Sequence, residues 1–229
     1  MSTALKAVFF DYGGTLDADG IAWKARFWPL YRRFGVHVPP DRFDRAFYRA
    51  DDSLTAEADA SLRLDEVIQL QVTRVLRNLD ISDTLLAAQI AGAFFEDSLA
   101  AVRRNLGLLK RLRSRYRLGI ISNNYGNLDA ICRQTGLSDF IKVMVDSAQV
   151  GVSKPDTRIF YAALEALDVL PEAAVMVGDS LARDVRGARN VGMRAVWLMG
   201  RRTCRPPADP ACAIISTLAE LPKVLSSWA

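Results

Sequence analysis

The chain has 229 residues, 50% hydrophobic and 24% charged, which suits one packed domain or a core with a smaller insert and excludes a disordered chain. No apolar run in the sequence reads as membrane-spanning, and MSTALKAVFF lacks a basic region and a cleavage site, so a cytoplasmic location and no membrane partner are expected. The net charge of +4 and pI near 9.1 raise a nucleic-acid partner as a question for the basic segments to answer.

The first predicted element is a buried strand, LKAVFF (5–10), which runs into Asp11. From about 19 to 101 no strand signal follows. Helical patterns take its place, among them WKARFWPLYRRFG, RFDRAFYRA, LDEVIQLQVTRVLRNL and TLLAAQIAGAFFEDSL. VPPD (38–41) breaks this insert, with Asp41 expected as a helix N-cap. Trp23, Phe27, Leu30 and Phe34 recur at helical spacing and read as packing residues. Trp23, Trp28 and Tyr31, with Arg26, Arg32 and Arg33, also offer stacking on a ring or a grip on an anion. His37, the sole histidine, reads as a loop residue.

In RRNLGLLKRLRSRYR (103–117), Leu106, Leu109 and Leu112 recur at helical spacing. The basic residues are then the wet face of an amphipathic helix, and no nucleic-acid partner is expected. Further strands are RLGIIS (117–122), IKVMV (141–145), AAVMVG (173–178), MRAVWL (193–198) and a short ACAII (211–215). Helices are expected near 127–135, 156–168, 181–191 and 217–226, and CRPPADPAC (204–212) as a surface loop. The alternation predicts an α/β fold with a parallel, Rossmann-like sheet covered on both faces. Residues 1–18 and 102–229 form its core, and 19–101 a helical insert. Cys132, Cys204 and Cys212 match no zinc or redox spacing and read as idle thiols.

In open parallel sheets functional groups gather at the carboxyl ends of strands. Those ends carry Asp11, Ser122-Asn123, Lys154 in GVSKPDTRIF, and Asp179 and Asp184 in GDSLARD. Carboxylate oxygens suit Mg²⁺, a hydroxyl and an ammonium suit phosphate oxygens, and an Asp can attack phosphorus. Each residue taken singly also has a plain reading as a cap, a turn former or a solvated charge.

Four segments, FFDYGGTL, IISNN, GVSKPDTRIF and VMVGDSLARDVRGARNVGMRAVWL, stand in order and in strand context. In them the chain resembles the haloacid dehalogenase (HAD) superfamily, over nearly its whole length. The resemblance implies a core with a mobile C1 cap formed by the insert. It implies Asp11 as the nucleophile, forming an aspartyl-phosphate. Ser122 would bind the phosphoryl group with help from Asn123, and Lys154 would balance charge. Asp11, Asp179 and the backbone carbonyl of Gly13 would hold Mg²⁺, with Asp184 beside the metal or orienting Lys154. The expected partner is a small phosphorylated metabolite, and the expected assembly a monomer or dimer.

One position departs from the family. Most phosphatases of the superfamily carry a second Asp two places after the nucleophile, where this chain has Gly13. A positioned acid/base contributes about 10²–10⁴ in rate. Four readings stay open. Another group or water supplies the proton in a working phosphatase, with Asp17, Asp19 and Lys24 as candidates. The chain cleaves a carbon–phosphorus bond, which would need a cap lysine. It removes halide, although Tyr12 stands one place before the tyrosine of dehalogenases. Or it binds a phosphorylated ligand or a protein partner without turnover. Gly13 is also consistent with a backbone conformation that other residues resist.

Overall fold

The computed structural model describes residues 4–57, 59–202 and 212–228. Six parallel strands form one sheet: β1 (Ala7–Phe10), β2 (Arg117–Ser122), β3 (Val143–Asp146), β4 (Ala174–Gly178), β5 (Arg194–Leu198) and β6 (Cys212–Ile215). Their order is β3-β2-β1-β4-β5-β6. The α/β sheet expected from the alternating pattern is present, with β6 opening at Cys212. The expected surface loop and Cys204 lie outside the described residues, apart from Cys212 itself.

Side chains alternate across a strand, so each strand feeds two cores. Val8 and Phe10 pack with Ile120, Val177 and Val196 on one face, under α4 (Thr84–Leu112), α5 (Leu128–Thr135) and α9 (Leu221–Ser227). Ala7 and Phe9 pack with Ile121 and Met176 on the other, under α7 (Thr157–Leu167) and α8 (Arg186–Asn190). A short helix, α6 (Ser147–Val150), follows β3. The register sets Phe10 level with both Ile120 and Val177. Asp11, Ser122 and Asp179 therefore emerge together on one rim.

Between β1 and β2 stand α1 (Trp23–Arg33), α2 (Pro40–Glu57), α3 (Leu64–Asn78) and α4. An aromatic cluster joins them. The rings of Phe27 and Phe94 stack 3.8 Å apart, and Phe47 tilts against Phe27 at 6.0 Å. Helix α4 runs unbroken from Thr84 past residue 101 to Leu112, so the insert is continuous with the core. By length and composition alone α4 is apolar enough to cross a membrane, contrary to the reading of the sequence. Here it buries Ile90, Phe94, Val102 and Leu109 inside the protein and leaves Lys110 and Arg111 exposed.

Two local expectations change. Asp41 is not an N-cap: Pro40 opens α2, and Asp41 lies in its first turn, paired with Arg45 at 2.8 Å. The fixed φ of proline is already helical, which favours that first position. The expected helix at 181–191 is divided into a wide turn, Leu181–Val185, and the regular α8. In the wide turn the amides of Asp184 and Val185 both point to the Ser180 carbonyl.

Candidate active site

The rim places Asp11, Lys154 and Asp184 in one buried chain of charge. Lys154 Nζ lies 2.7 Å from Asp11 Oδ1 and 2.7 Å from Asp184 Oδ1, and donates a third bond to the Ile121 carbonyl at 2.7 Å. Ser122 Oγ donates to Asp11 Oδ1 at 3.3 Å. Asp11 Oδ2 accepts the Thr15 hydroxyl at 3.2 Å, and Thr15 in turn accepts the amide of Asp179 at 3.1 Å. Thr15 thus ties the loop after β1 to the end of β4.

Asp11, Asp179 and Asp184 each bring a carboxylate oxygen within 4.8 Å of the others. Burial raises the Asp179 pKa to about 7, and the nearby charges of Asp11 and Asp184 add to it. Asp179 Oδ1 is buried with no hydrogen-bond partner. Burial also pushes Asp184 upward, against the pull of Lys154. Burial by itself would lower Lys154, but the carboxylates of Asp11 and Asp184 outweigh it and leave the ammonium above its ordinary value.

Two glycines make the approach possible. Gly14 has φ +93°, and a Cβ there would sit 3.0 Å from the Asp179 carboxyl carbon. A Cβ on Gly178 would meet Asp184 at 2.3 Å. Gly13 is a different case. Its φ of −73° and ψ of 112° are open to any residue, so backbone conformation does not explain it. The space beside it is filled by the Trp23 indole, with Nε1 3.2 Å from where a Cβ would stand.

The other expected residues separate. Asn123 has both side-chain groups on the Lys154 backbone, Nδ2 to the carbonyl at 3.1 Å and Oδ1 from the amide at 2.8 Å. It therefore holds the lysine loop. Asp17 is fully buried: Gly14 N, Trp23 Nε1 and Arg26 Nη1 donate to it at 2.6, 2.7 and 2.9 Å. Asp19 pairs with Arg104 at 2.8 Å. Arg26 is buried on Asp17 and Ser98, and Arg32 and Arg33 are exposed. Of the residues considered as proton sources, Lys24 alone lines a cavity beside this rim, and it pairs with Asp44 at 2.8 Å. His37 is exposed, outside any element. Cys132 is buried, which pushes its thiol up to about 12.

A recess of about 50 Å³ is lined by Asp11, Lys154, Asp184, Ser122 and Arg183. It shares Gly13, Ser122, Asn123 and Arg183 with a cavity of about 430 Å³, walled by α1 and α2. Thr15, Arg183 and Asp51 were missed in the sequence, and Trp23 was read as a packing or stacking residue, not as the neighbour of Gly13. Thr15 and Arg183 carried a signal, since they lie in FFDYGGTL and GDSLARD, whereas Asp51 carried none.

A parallel α/β sheet with acids, a hydroxyl and a lysine on its carboxyl rim defines a hydrolase class. The chain belongs to the haloacid dehalogenase-like hydrolase family, whose profile matches residues 5–192. It is 33% identical over 202 residues to a glyceraldehyde 3-phosphate phosphatase from Pyrococcus furiosus, covering 84% of this chain and 80% of the relative. It is 49% identical over 76 residues to a phosphoserine phosphatase from Thermus thermophilus. That match spans 33% of this chain and 30% of the relative, less than two thirds of either. Among solved structures, a 2-haloacid dehalogenase from Pseudomonas syringae pv. tomato superposes with a TM-score of 0.55 at 25% identity, covering 98% of this chain and 100% of that one.

Proposed function

We propose that this protein is a Mg²⁺-dependent phosphatase that transfers a phosphoryl group from a small phosphorylated metabolite to Asp11 and then to water. The observation that carries this reading is Lys154, buried and 2.7 Å from the carboxylates of both Asp11 and Asp184, beside the Ser122 hydroxyl. The names of the relatives from P. furiosus and T. thermophilus support it. On the same reading residues 19–101 act as a C1 cap over the core of 1–18 and 102–229. Closure of such a cap excludes water and completes the site.

The residues fit a divalent cation. Asp179 Oδ1 has no partner, and all the donors around it are oxygens. Asp11, Asp179 and the Gly13 carbonyl would hold Mg²⁺, with Asp184 a ligand or a neighbour. When bound, the ion supplies positive charge that screens the phosphate from the carboxylates.

The protein's own groups do the rest. An Asp11 oxygen attacks phosphorus, and the bond from phosphorus to the leaving oxygen breaks. The Ser122 hydroxyl and the Lys154 ammonium donate to the phosphoryl oxygens. A water then attacks phosphorus, the bond to Asp11 breaks, and phosphate leaves. Thr15 holds Asp11 in place, and Asn123 holds the lysine loop. Gly13 offers no proton to the leaving oxygen, so esters of acidic alcohols and acyl phosphates are the easier substrates.

Gly13 also favours a second reading: a binder of phosphorylated ligands with very slow turnover. Phosphate release from acetyl phosphate and p-nitrophenyl phosphate, with and without Mg²⁺, separates the two. The phosphatase reading expects metal-dependent release that disappears in Asp11→Asn. Ligand-induced stabilisation without product would support the binder.

A further inference from the structure

The reaction centre is built from sheet ends, but the space in front of it is walled by the helical insert. A phosphate held by Asp11, Ser122 and Lys154 would send its organic group from the recess into the cavity of about 430 Å³. Asp51, on α2, is the only carboxylate among the described residues that line this cavity. The Tyr125 hydroxyl, on the loop after β2, donates to Asp51 Oδ1. Among the described residues no donor reaches Asp51 Oδ2. Of the charged neighbours, Lys24 is paired with Asp44, and Arg183, whose Nε donates to the Ser180 hydroxyl at 3.4 Å, acts on Asp51 through its charge. Trp23, Phe47 and Tyr48 supply apolar wall between them.

A carboxylate held by one oxygen, half-buried, offers the other to whatever fills the cavity. An apolar group there would strip its water and return nothing, whereas a donor would restore the bond. We propose that Asp51 determines specificity by accepting a hydrogen bond from a hydroxyl or ammonium group on the organic part of the substrate. Tyr125 positions the carboxylate. Asp51 is the group on the helical insert that distinguishes a polyol or amino-alcohol phosphate from a plain alkyl phosphate. Burial raises its pKa, with the Tyr125 hydrogen bond acting against it, so an ammonium would also stabilise its charged form.

This inference rests on the phosphatase reading for what occupies the recess. The test uses matched esters: ethyl, 2-hydroxyethyl and 2-aminoethyl phosphate, and their three-carbon homologues. The readout is the ratio of kcat/KM for each donor-bearing ester to that for its alkyl partner. In the native protein the ratio is expected to reach about tenfold or more. In Asp51→Ala it should fall towards one. Asp51→Asn, which keeps the shape and an acceptor, should retain the hydroxyl preference and lose the ammonium preference. Thermal melts check that both variants are folded. Equal ratios in the native protein and Asp51→Ala, or no donor preference in the native protein, overturn the proposal. If no ester is hydrolysed, affinities replace rates, and if acetyl phosphate is not hydrolysed either, the phosphatase reading fails. The same ratios, taken as affinities by calorimetry, then decide Asp51 separately.

Discussion

The indole of Trp23 occupies the room that a side chain at position 13 would need, with Nε1 3.2 Å from the site of a Cβ on Gly13. Its N–H is tied to Asp17 Oδ2 at 2.7 Å, and Asp17 is itself clamped by Arg26. The ring cannot swing away without breaking a buried network. Gly13 and Trp23 are therefore one feature, shared between the loop after β1 and the first helix of the insert.

Restoring the usual acid at position 13 should accordingly fail by itself. Gly13→Asp is expected to cost about 1–3 kcal/mol of stability from overpacking and to leave aspartyl-phosphate hydrolysis no faster. Combined with Trp23→Ala, which opens the space, it should accelerate that hydrolysis by about 10²-fold or more. Thermal melts and acid-quenched decay of the phosphoenzyme read the two effects. A single variant that melts like the native protein and dephosphorylates faster would remove Trp23 from the explanation.

The Asp179 carboxyl links stability to pH. Its folded pKa is about 7, raised from 3.8, so between those values the folded state holds a proton that the unfolded chain has released. Its contribution to the stability of the metal-free protein therefore falls as pH rises from about 4 to 7, and is level above that. On the proposed reading Mg²⁺ would displace the same proton, so the rise in Tm that it produces should grow from pH 5 to 7 and then flatten. Melts across pH, with and without Mg²⁺, check both slopes. Asp179→Asn should reduce both slopes, leaving the part carried by Asp184 and the other carboxyls that burial raises.

Lys154 lies between Asp11 and Asp184, each 2.7 Å away. Lys154→Met leaves both carboxylates buried and unpaired and should cost about 3–5 kcal/mol in metal-free protein. Adding Asp184→Asn should return part of that loss. Urea unfolding of the native protein, both single variants and the double variant measures the coupling. Strict additivity would mean that the pair does not interact as the distances imply.

Asp146 accepts amides from Gly126, Leu128 and Ala148 at 3.0, 3.1 and 3.0 Å, joining the starts of α5 and α6. Asp146→Ala removes these acceptors and should cost about 2 kcal/mol. Chemical denaturation measures the loss. A change below ~0.5 kcal/mol would show that water replaces the carboxylate at little cost.

The arrangement of the rim was legible in the chain because a parallel sheet turns sequence order into spatial order. Apolar runs that end in Asp11, Ser122 and Asp179 are brought level by the strand register, and Lys154 and Asp184 follow on the next turns. The split of the helix at 181–191 was not legible. It depends on Asp184 turning inward over Gly178, a contact between residues on either side of a strand end.

The sequence by itself determined the sheet, the helical insert and the acids, hydroxyl and lysine at the strand ends, since hydrophobic period and strand order are local properties. Only the tertiary structure decided which residues of the insert face them. Asp17 and Asp19, near in sequence, are drawn into ion pairs with Arg26 and Arg104, while Asp51, forty residues from Asp11, lines the cavity. The cause is the docking of α1, α2 and α4 through Phe27, Phe47 and Phe94. That packing orients the insert over the sheet, and no spacing along the chain encodes it.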